Sequence, residues 1–510
     1  MENKFSIQKK IGLCLGIPLL LVMLLLPRPE GMTPEAHKTL AVTLLMAFWW
    51  ITEAVPIPVT AILPFVLFPF LKIDSAQDVA RQFGDRNLFL FMGGFFLAAA
   101  IEKTGLHKRM ALRAISILGT SPRKIIFGMM VATAFLSMWI SNTATTMMML
   151  PIAMAIARHT EFLKGNSANE KERYNSFKTA LLFGIGYSAS IGGIGTLIGT
   201  PPNIIFVSQM KKLFPMAPDI SFLQWFIVGF PLVILFLPLT WFYLVQFAHP
   251  IKIKQLPGGK DVIVSQLEEL GRMSRSEKYV FVVFLLTALG WIFRRNIDLS
   301  FMVIPGWSNL LGVETMVHDS TVAICASVLL FLIPVDLKRG EFLLDWKSAV
   351  KIPWGILLLF GGGLALAHEF QITGLAQWIG SNLSILKTVP ILIAVIVVIF
   401  TMDFLTEVTS NTAIATLFMP ILAVTSIGMG VHPYLLMIAG TIAASLAFML
   451  PVATPPNAVI FSSGYITLPQ MARTGFAMNI LGIIVTTIIM YLLAIPVFGI
   501  TLSSLPGWAH

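Results

Sequence analysis

MWISNTATTMMMLPIA (138–153) and LTEVTSNTAIAT (405–416) decide the fold, because each sets a Ser-Asn-Thr triplet inside a long apolar stretch where polar runs are expensive. The copies, Ser141-Asn142-Thr143 and Ser410-Asn411-Thr412, are 269 positions apart. Working outward, LFLFMGGFFLAAAIEKTGL (88–106) aligns with LLLFGGGLALAHEFQITGL (357–375) at the same shift. Phe91 pairs with Phe360, Gly105 with Gly374 and Pro151 with Pro420. A gapless register over about sixty positions marks an internal repeat, and repeats organise folds.

Of 510 residues, 56% are hydrophobic and 12% charged, with a mean hydropathy of +0.83, a composition that belongs in a bilayer. Apolar runs at 11–26, 38–52, 55–71, 87–101, 179–210, 221–248, 279–293, 321–335, 352–367, 433–465 and 476–500 give eleven expected spans. Two further runs, 125–157 and 388–424, hold the triplets near their middles and read as re-entrant hairpins. The expectation is an all-α polytopic membrane protein of about 11 transmembrane helices plus two re-entrant helical hairpins.

Pro27, Arg28 and Pro29 follow the first apolar run where a cleavage site would need small residues, so an uncleaved first helix is expected. Cys14 and Cys325 fall in separate spans and suggest neither a disulfide framework nor a metal site. The net charge of +10 comes from loops rather than a nucleic-acid-binding surface. With a cytoplasmic N-terminus and an external C-terminus, the cytoplasmic segments carry 25 of the 35 Lys and Arg, which satisfies the positive-inside bias. Arg294 and Arg295 sit against it.

The loop after the first Gly-rich span carries Lys108, Arg109, Arg113, Arg123 and Lys124, whereas its counterpart at 376–390 carries only Lys387. Equivalent loops of opposite basic content belong on opposite membrane faces, so the repeat is inverted. Inverted repeats build secondary transporters with a site near midplane, where interrupted helices meet. The expected organisation is an N-terminal scaffold (1–86), a first repeat (87–248; hairpin 125–157, broken helix 179–210), linker and scaffold helices (249–351) and a second repeat (352–510; hairpin 388–424, broken helix 433–465).

At a hairpin tip, Ser, Asn and Thr are favoured helix caps, and the spare N–H groups beyond them face anions. Ser141 to Thr143 with Thr145 and Thr146, and Thr406 and Thr409 with Ser410 to Thr412, supply that arrangement twice. IGTPPN (198–203) and VATPPN (452–457) match at a shift of 254, and their paired prolines must break the helix. Thr200 and Thr454 then become caps, with Pro201 and Pro455 at the first helical position. The carbonyls freed at Gly199 and Ala453 suit a cation such as sodium. The interiors of the spans and hairpins hold no Lys or Arg. A multivalent anion there must be balanced by helix N-termini, amides, hydroxyls and co-bound cations, so each ligand raises the other's affinity.

Glu53, Asp403, Glu407, His368 and Glu369 are the ionisable groups at or near membrane depth. Asp403 and Glu407 lie four apart, hence on one helix face, and the first repeat has Ala134 and Met138 at the matching places. They are expected to be satisfied by nearby backbone or hydroxyls; a proton-coupled anion transporter would use them. No zinc-ligand motif, nucleophile elbow or phosphate loop is present, which argues against a membrane-embedded enzyme. A channel would not require inverted hairpins.

With YSASIGGIGTLIGTPPN (187–203) and MLPVATPPNAVIFSSGY (449–465), the two triplet motifs resemble the divalent anion/sodium symporter family, the INDY-like di- and tricarboxylate transporters. The resemblance covers nearly the whole chain. It implies a homodimer in the cytoplasmic (inner) membrane, each protomer with a scaffold domain and a transport domain that moves like an elevator. It implies one sodium site at Ser137, Ser141, Asn142 and Gly199 and another at Thr406, Thr409, Asn411 and Ala453. It implies substrate contacts from Asn142, Thr143, Thr200, Ser410, Asn411, Thr412, Thr454 and Pro455. Both Ser-Asn-Thr motifs are intact, which favours a sodium symporter over the family's sodium-independent exchangers. Ile414 stands where the first motif has Thr145, and Thr200 where relatives often have a smaller residue; the extra methyl favours succinate, malate and fumarate over tricarboxylates.

Overall fold

The computed structural model describes residues 7–119, 121–162, 168–253, 259–298, 302–382, 388–502 and 504–509. Lys4, Lys164, Lys254 and Lys387 of the loop-charge reading lie outside them. The described chain is mostly helical. It opens with α1 (Ile7–Leu25), α2 (Pro34–Thr52), α3 (Ile57–Ala61), α4 (Pro64–Phe70) and α5 (Ala76–Gln82). Next come α6 (Arg86–Thr104), α7 (Leu106–Leu118), α8 (Pro122–Ser137), α9 (Asn142–Phe162), α10 (Ala168–Ile194), α11 (Pro201–Leu213) and α12 (Phe222–Tyr243). A middle section holds α13 (Gly259–Glu269), α14 (Arg275–Ile292), α15 (Trp307–Leu310), α16 (Asp319–Leu332) and α17 (Trp346–Ala349). The sequence of elements from α6 to α12 then recurs as α18 (Trp354–Ile372), α19 (Leu375–Asn382), α20 (Ile391–Thr406), α21 (Asn411–Met429), α22 (Pro433–Ala443), α23 (Pro455–Phe461) and α24 (Leu468–Ile489). A short α25 (Ile495–Val497) follows. The strands form two small antiparallel ladders, Ile297–Asp298 with Val303–Ile304 and Pro334–Asp336 with Glu341–Phe342.

Local chemistry repeats along with the helices. Ser221 and Gln224 close a reciprocal capping box at the start of α12, and Thr467 and Gln470 close the same box at the start of α24, 246 positions later. At that same shift each helix loosens into a π turn, Leu244–Ala248 and Met490–Ala494. Among the described residues, six helices are long and apolar enough to cross a membrane, and five shorter apolar segments accompany them. The run 55–71 is not one straight helix: Pro56 and Pro64 each sit at a helix start and divide it into α3 and α4.

The Gly-rich segments explain their own composition. A Cβ on Gly93 would lie 2.6 Å from the Ala323 Cβ of α16, and one on the matching Gly362 would lie 2.0 Å from the Ala61 carbonyl oxygen of α3. Only glycine lets these backbones approach so closely, as small residues do generally where membrane helices cross.

Charge collects at the two ends of the bundle. Arg86 and Lys103 sit near opposite ends of α6, about 26 Å apart along its axis. Lys103 Nζ is 2.6 Å from Asp345 Oδ2. At the other end, Asp219 on the α11–α12 connection meets Arg86 at 2.7 Å, Lys211 at 3.2 Å and Arg295 at 3.7 Å. Partial burial opposes ionisation of Asp219, but the Arg86 charge and the hydrogen bonds from Lys211 and Arg86 hold its carboxyl below the usual carboxylate range.

Among the described residues, two ion pairs are buried. Arg109 Nε donates to Glu277 Oε1 at 2.7 Å and its other nitrogens donate to the Gly271 and Leu270 carbonyls, tying α7 to the α13–α14 connection. Arg294 Nε donates to Asp319 Oδ1, both side chains being 1% exposed, while Asp319 Oδ2 accepts from the Phe222 backbone N at 2.9 Å. Asp319 therefore neutralises a buried cation and caps α12 together. Replacing Asp319 with Ala strands Arg294, and we expect a loss of about 3–5 kcal/mol of stability, read as a lowered melting temperature in detergent. Asp336→Asn, which removes an exposed pair with Arg339 at 3.7 Å and keeps an Oδ1 to accept from the Lys338 and Arg339 backbone N, should leave that temperature unchanged.

Candidate transport site

Two helix–turn–helix pairs and two interrupted helices meet at one cavity. The α8–α9 turn carries Ser141, and its hydroxyl accepts from the Ala144 N at 3.3 Å, capping α9. In the α20–α21 turn Ser410 occupies the cap position and supplies no side-chain hydrogen bond there. The chain leaves helical geometry after Ile194 and resumes it at Pro201; it does so again between Ala443 and Pro455. In both breaks a Thr-Pro-Pro sequence restarts the helix, with extended Thr200 (φ −142°) and Thr454 (φ −140°) at the cap positions; Thr454 Oγ1 accepts from the Asn457 N at 3.4 Å, whereas Thr200 supplies no side-chain hydrogen bond there.

The cavity has a volume of about 810 Å³. All eight residues expected to contact substrate line it: Asn142, Thr143, Thr200, Ser410, Asn411, Thr412, Thr454 and Pro455. Of the residues expected to hold cations, Ser141, Asn142, Gly199, Asn411 and Ala453 line it as well. Ser137, Thr406 and Thr409 do not; they lie buried behind the triplets.

The hydrogen bonds behind the cavity are duplicated. Ser137 Oγ donates toward Asn142 Oδ1 and lies equally close, at 2.7 Å, to the Ala189 carbonyl oxygen. Thr406 Oγ1 stands in the same relation to Asn411 Oδ1 at 2.5 Å and the Ala444 carbonyl at 3.2 Å. Each hydroxyl joins a triplet asparagine to the interrupted helix beside it, and that fixes the direction of the amide. A Cβ on Gly193 would lie 2.5 Å from Asn142 Oδ1, so the absence of a side chain there makes room for the asparagine.

Each break is spanned by a second asparagine. Asn203 Nδ2 donates to the carbonyls of Gly193 at 3.1 Å and Thr196 at 2.7 Å, and Asn457 Nδ2 donates to those of Ala447 at 3.2 Å and Leu450 at 3.1 Å. These partners correspond one for one at the 254 shift. Both asparagines are fully buried. The sequence reading assigned them no role, although each closes its motif's Thr-Pro-Pro-Asn run.

The acids divide. Glu407 accepts from the backbone N of Phe448 (2.7 Å), Met449 (2.9 Å) and Leu450 (3.1 Å), and from Asn479 Nδ2 (2.8 Å), so it props the second break open. In the first repeat the corresponding Met138 offers its carbonyl to Thr196 Oγ1. Asp403 departs from the expectation of a satisfied carboxyl: it is fully buried, and among the described residues neither oxygen has a hydrogen-bond partner. Glu53, half exposed and 3.6 Å from Lys9, is the one ionisable side chain among the described residues lining the cavity. No Lys or Arg among the described residues lines it. Positive potential comes instead from the starts of α9, α11, α21 and α23, all at its wall.

Residues 8–504 match the model of the sodium:sulfate symporter transmembrane region. The sodium-dependent dicarboxylate transporter SdcS of Staphylococcus saprophyticus is 45% identical over 504 residues, covering 98% of this chain and 95% of its own. SdcS of Staphylococcus aureus strain RF122 is 45% identical over 503 residues, covering 98% and 94%. Among solved structures, Neisseria gonorrhoeae MtrF superposes with a TM-score of 0.56 at 13% identity, covering 97% of each chain. The Alcanivorax borkumensis YdaH transporter does so with 0.55 at 11%, covering 90% of this chain and 98% of its own; both likenesses concern the fold. By its matched family model and these full-length relatives, the chain belongs to the sodium:sulfate symporter family, the divalent anion/sodium symporters.

Proposed function

We propose that this protein is a sodium-coupled symporter that imports C4-dicarboxylates, namely succinate, malate and fumarate, across the cytoplasmic membrane. The observation that carries the reading is the doubled site in which Ser137 and Thr406 orient Asn142 and Asn411 at a cavity lined, among the described residues, by no Lys or Arg. A dianion in such a cavity needs compensation that the side chains do not supply. Sodium at Ser137, Ser141, Asn142 and Gly199, and at Thr406, Thr409, Asn411 and Ala453, supplies it, and helix N-termini add to it. The ions load first and pull the asparagines and loop carbonyls into place. The carboxylates then bind at Asn142, Thr143, Thr200, Ser410, Asn411, Thr412, Thr454 and Pro455. The names of the Staphylococcus relatives support both the coupling ion and the substrate class.

In this reading residues 125–157 and 388–424 are re-entrant hairpins, and the protein works as a homodimer. The hairpins and broken helices carry the substrate past a scaffold formed by 1–86 and 249–351, an elevator-type alternation. The Asp219 ion pairs to Arg86 and Arg295 join the α11–α12 connection to that scaffold and must part in each cycle. The Thr200 methyl narrows the site toward dicarboxylates.

A second reading, proton coupling, has one observation in its favour, the unpartnered Asp403 carboxyl. Glu407 is already committed to four donors and is not free to serve it.

Labelled succinate uptake into proteoliposomes separates the readings. Uptake into empty vesicles is expected with an inward sodium gradient and not when potassium replaces sodium. Uptake that ignores sodium and requires vesicles preloaded with succinate would mean an exchanger. Asn142→Ala and Asn411→Ala should each lower sodium-driven uptake by about 5–150-fold, the span of typical coupling energies; unchanged uptake by either would remove the site assignment. Asp403→Asn should retain sodium-driven uptake, and its loss together with proton-driven uptake in the wild type would establish proton coupling.

A further inference from the structure

We propose that Asp74, His368 and Glu369 form a divalent-metal site at the C-terminal end of α18, separate from the cavity that holds the triplets. His368 and Glu369 are neighbours on α18, and Asp74 lies on the connection between α4 and α5. One ligand atom from each, an imidazole nitrogen and two carboxylate oxygens, lies within 4.8 Å of the other two. Glu369 is 1% exposed, and no N–H or hydroxyl donor among the described residues reaches its buried Oε2; the carboxyl that it meets is that of Asp74. Asp74 Oδ1 accepts from the Ser75 N at 2.7 Å, while its Oδ2 is buried and likewise reached by no such donor. Two carboxylate oxygens without donors, converging beside an imidazole, form a set of acceptors that a cation completes.

Neighbouring groups do not take that place. Asp78 is engaged by Ser75 Oγ and by Arg81 Nη1, each at 2.6 Å. Lys212 of α11 and His368 line one cavity of about 580 Å³, and the Lys212 charge bears on Asp74 and Glu369 from a distance. One imidazole with two carboxylates is the donor mix that first-row divalent ions take, and it leaves a fourth position for water on a tetrahedral zinc ion. Sodium, a hard cation without affinity for imidazole, fits the hydroxyl and carbonyl groups of the central cavity instead.

The test uses the purified full-length protein, stripped with chelator and equilibrated with radiolabelled zinc alone in sodium buffer. One zinc per chain is expected. Glu369→Gln and Asp74→Asn should weaken binding by more than the roughly 10–100-fold that loss of an outer-shell partner costs. Lys212→Gln, which removes a neighbouring positive charge, should tighten it. If Glu369→Gln does not yield folded protein, His368→Gln decides, since His368 is only half-buried. A wild type that retains no zinc, or variants that retain it as well as the wild type, would overturn the proposal, and the two carboxyls would then be a proton-sharing pair.

Discussion

Two buried asparagines, Asn203 and Asn457, hold two helices open, and the rest of the site depends on that. A helix interrupted inside a bilayer exposes backbone groups that lipid cannot satisfy, so each break must carry its own hydrogen-bond partners. The side-chain amides supply them by reaching back seven and ten residues, to carbonyls within the breaks and, for Asn203, to Gly193 in the last turn of the preceding helix. With the ends pinned, Thr-Pro-Pro restarts the helix, and the carbonyls and N–H groups at the gap remain available to ligands. The triplet asparagines are then aimed from the facing hairpins by Ser137 and Thr406. Under the proposed function, sodium coupling follows from this frame as a consequence of charge: a cavity lined by no Lys or Arg among the described residues gains affinity for a dianion when cations arrive.

The two halves are not equivalent, and the difference has a physical source. Besides the two asparagines, the first break is anchored by the Thr196 hydroxyl on the Met138 carbonyl and the Trp225 indole on the Ile194 carbonyl, whereas in the second Glu407 gathers three backbone N–H groups and Asn479. A carboxylate with four donors is well compensated even at depth. The second break is thereby the more firmly built. Asp403, one turn earlier on α20, lacks such partners and stands apart from the symmetric frame.

Much of the architecture was legible because duplication writes the same constraint twice. The 269 shift joined the Gly-rich helices to the triplets, and the glycines do mark close crossings, Gly93 on Ala323 and Gly362 on Ala61. All eight residues nominated for substrate do line one cavity. What escaped was nonlocal. Nothing in the sequence pairs Arg294 with Asp319, whose partnership depends on α14 and α16 meeting, and Arg294 read only as an exception to the positive-inside bias. Asn203 and Asn457 were visible as letters of a motif, but their work is done on carbonyls that only the folded break brings near. Asp403 was expected to find partners because most buried polar groups do, and local spacing could not show that no donor among the described residues reaches its carboxyl.

The claim on which the account rests is that sodium prepares the anion site, and calorimetric titration of succinate into the purified protein tests it most directly. Binding measured in sodium should be tighter than in potassium or choline by about 5–150-fold, with sodium affinity raised by succinate to the same degree, as linkage requires. Equal succinate affinity in all three salts would contradict it, since the doubled asparagine site would then hold the dianion without help from the cations it is built to admit.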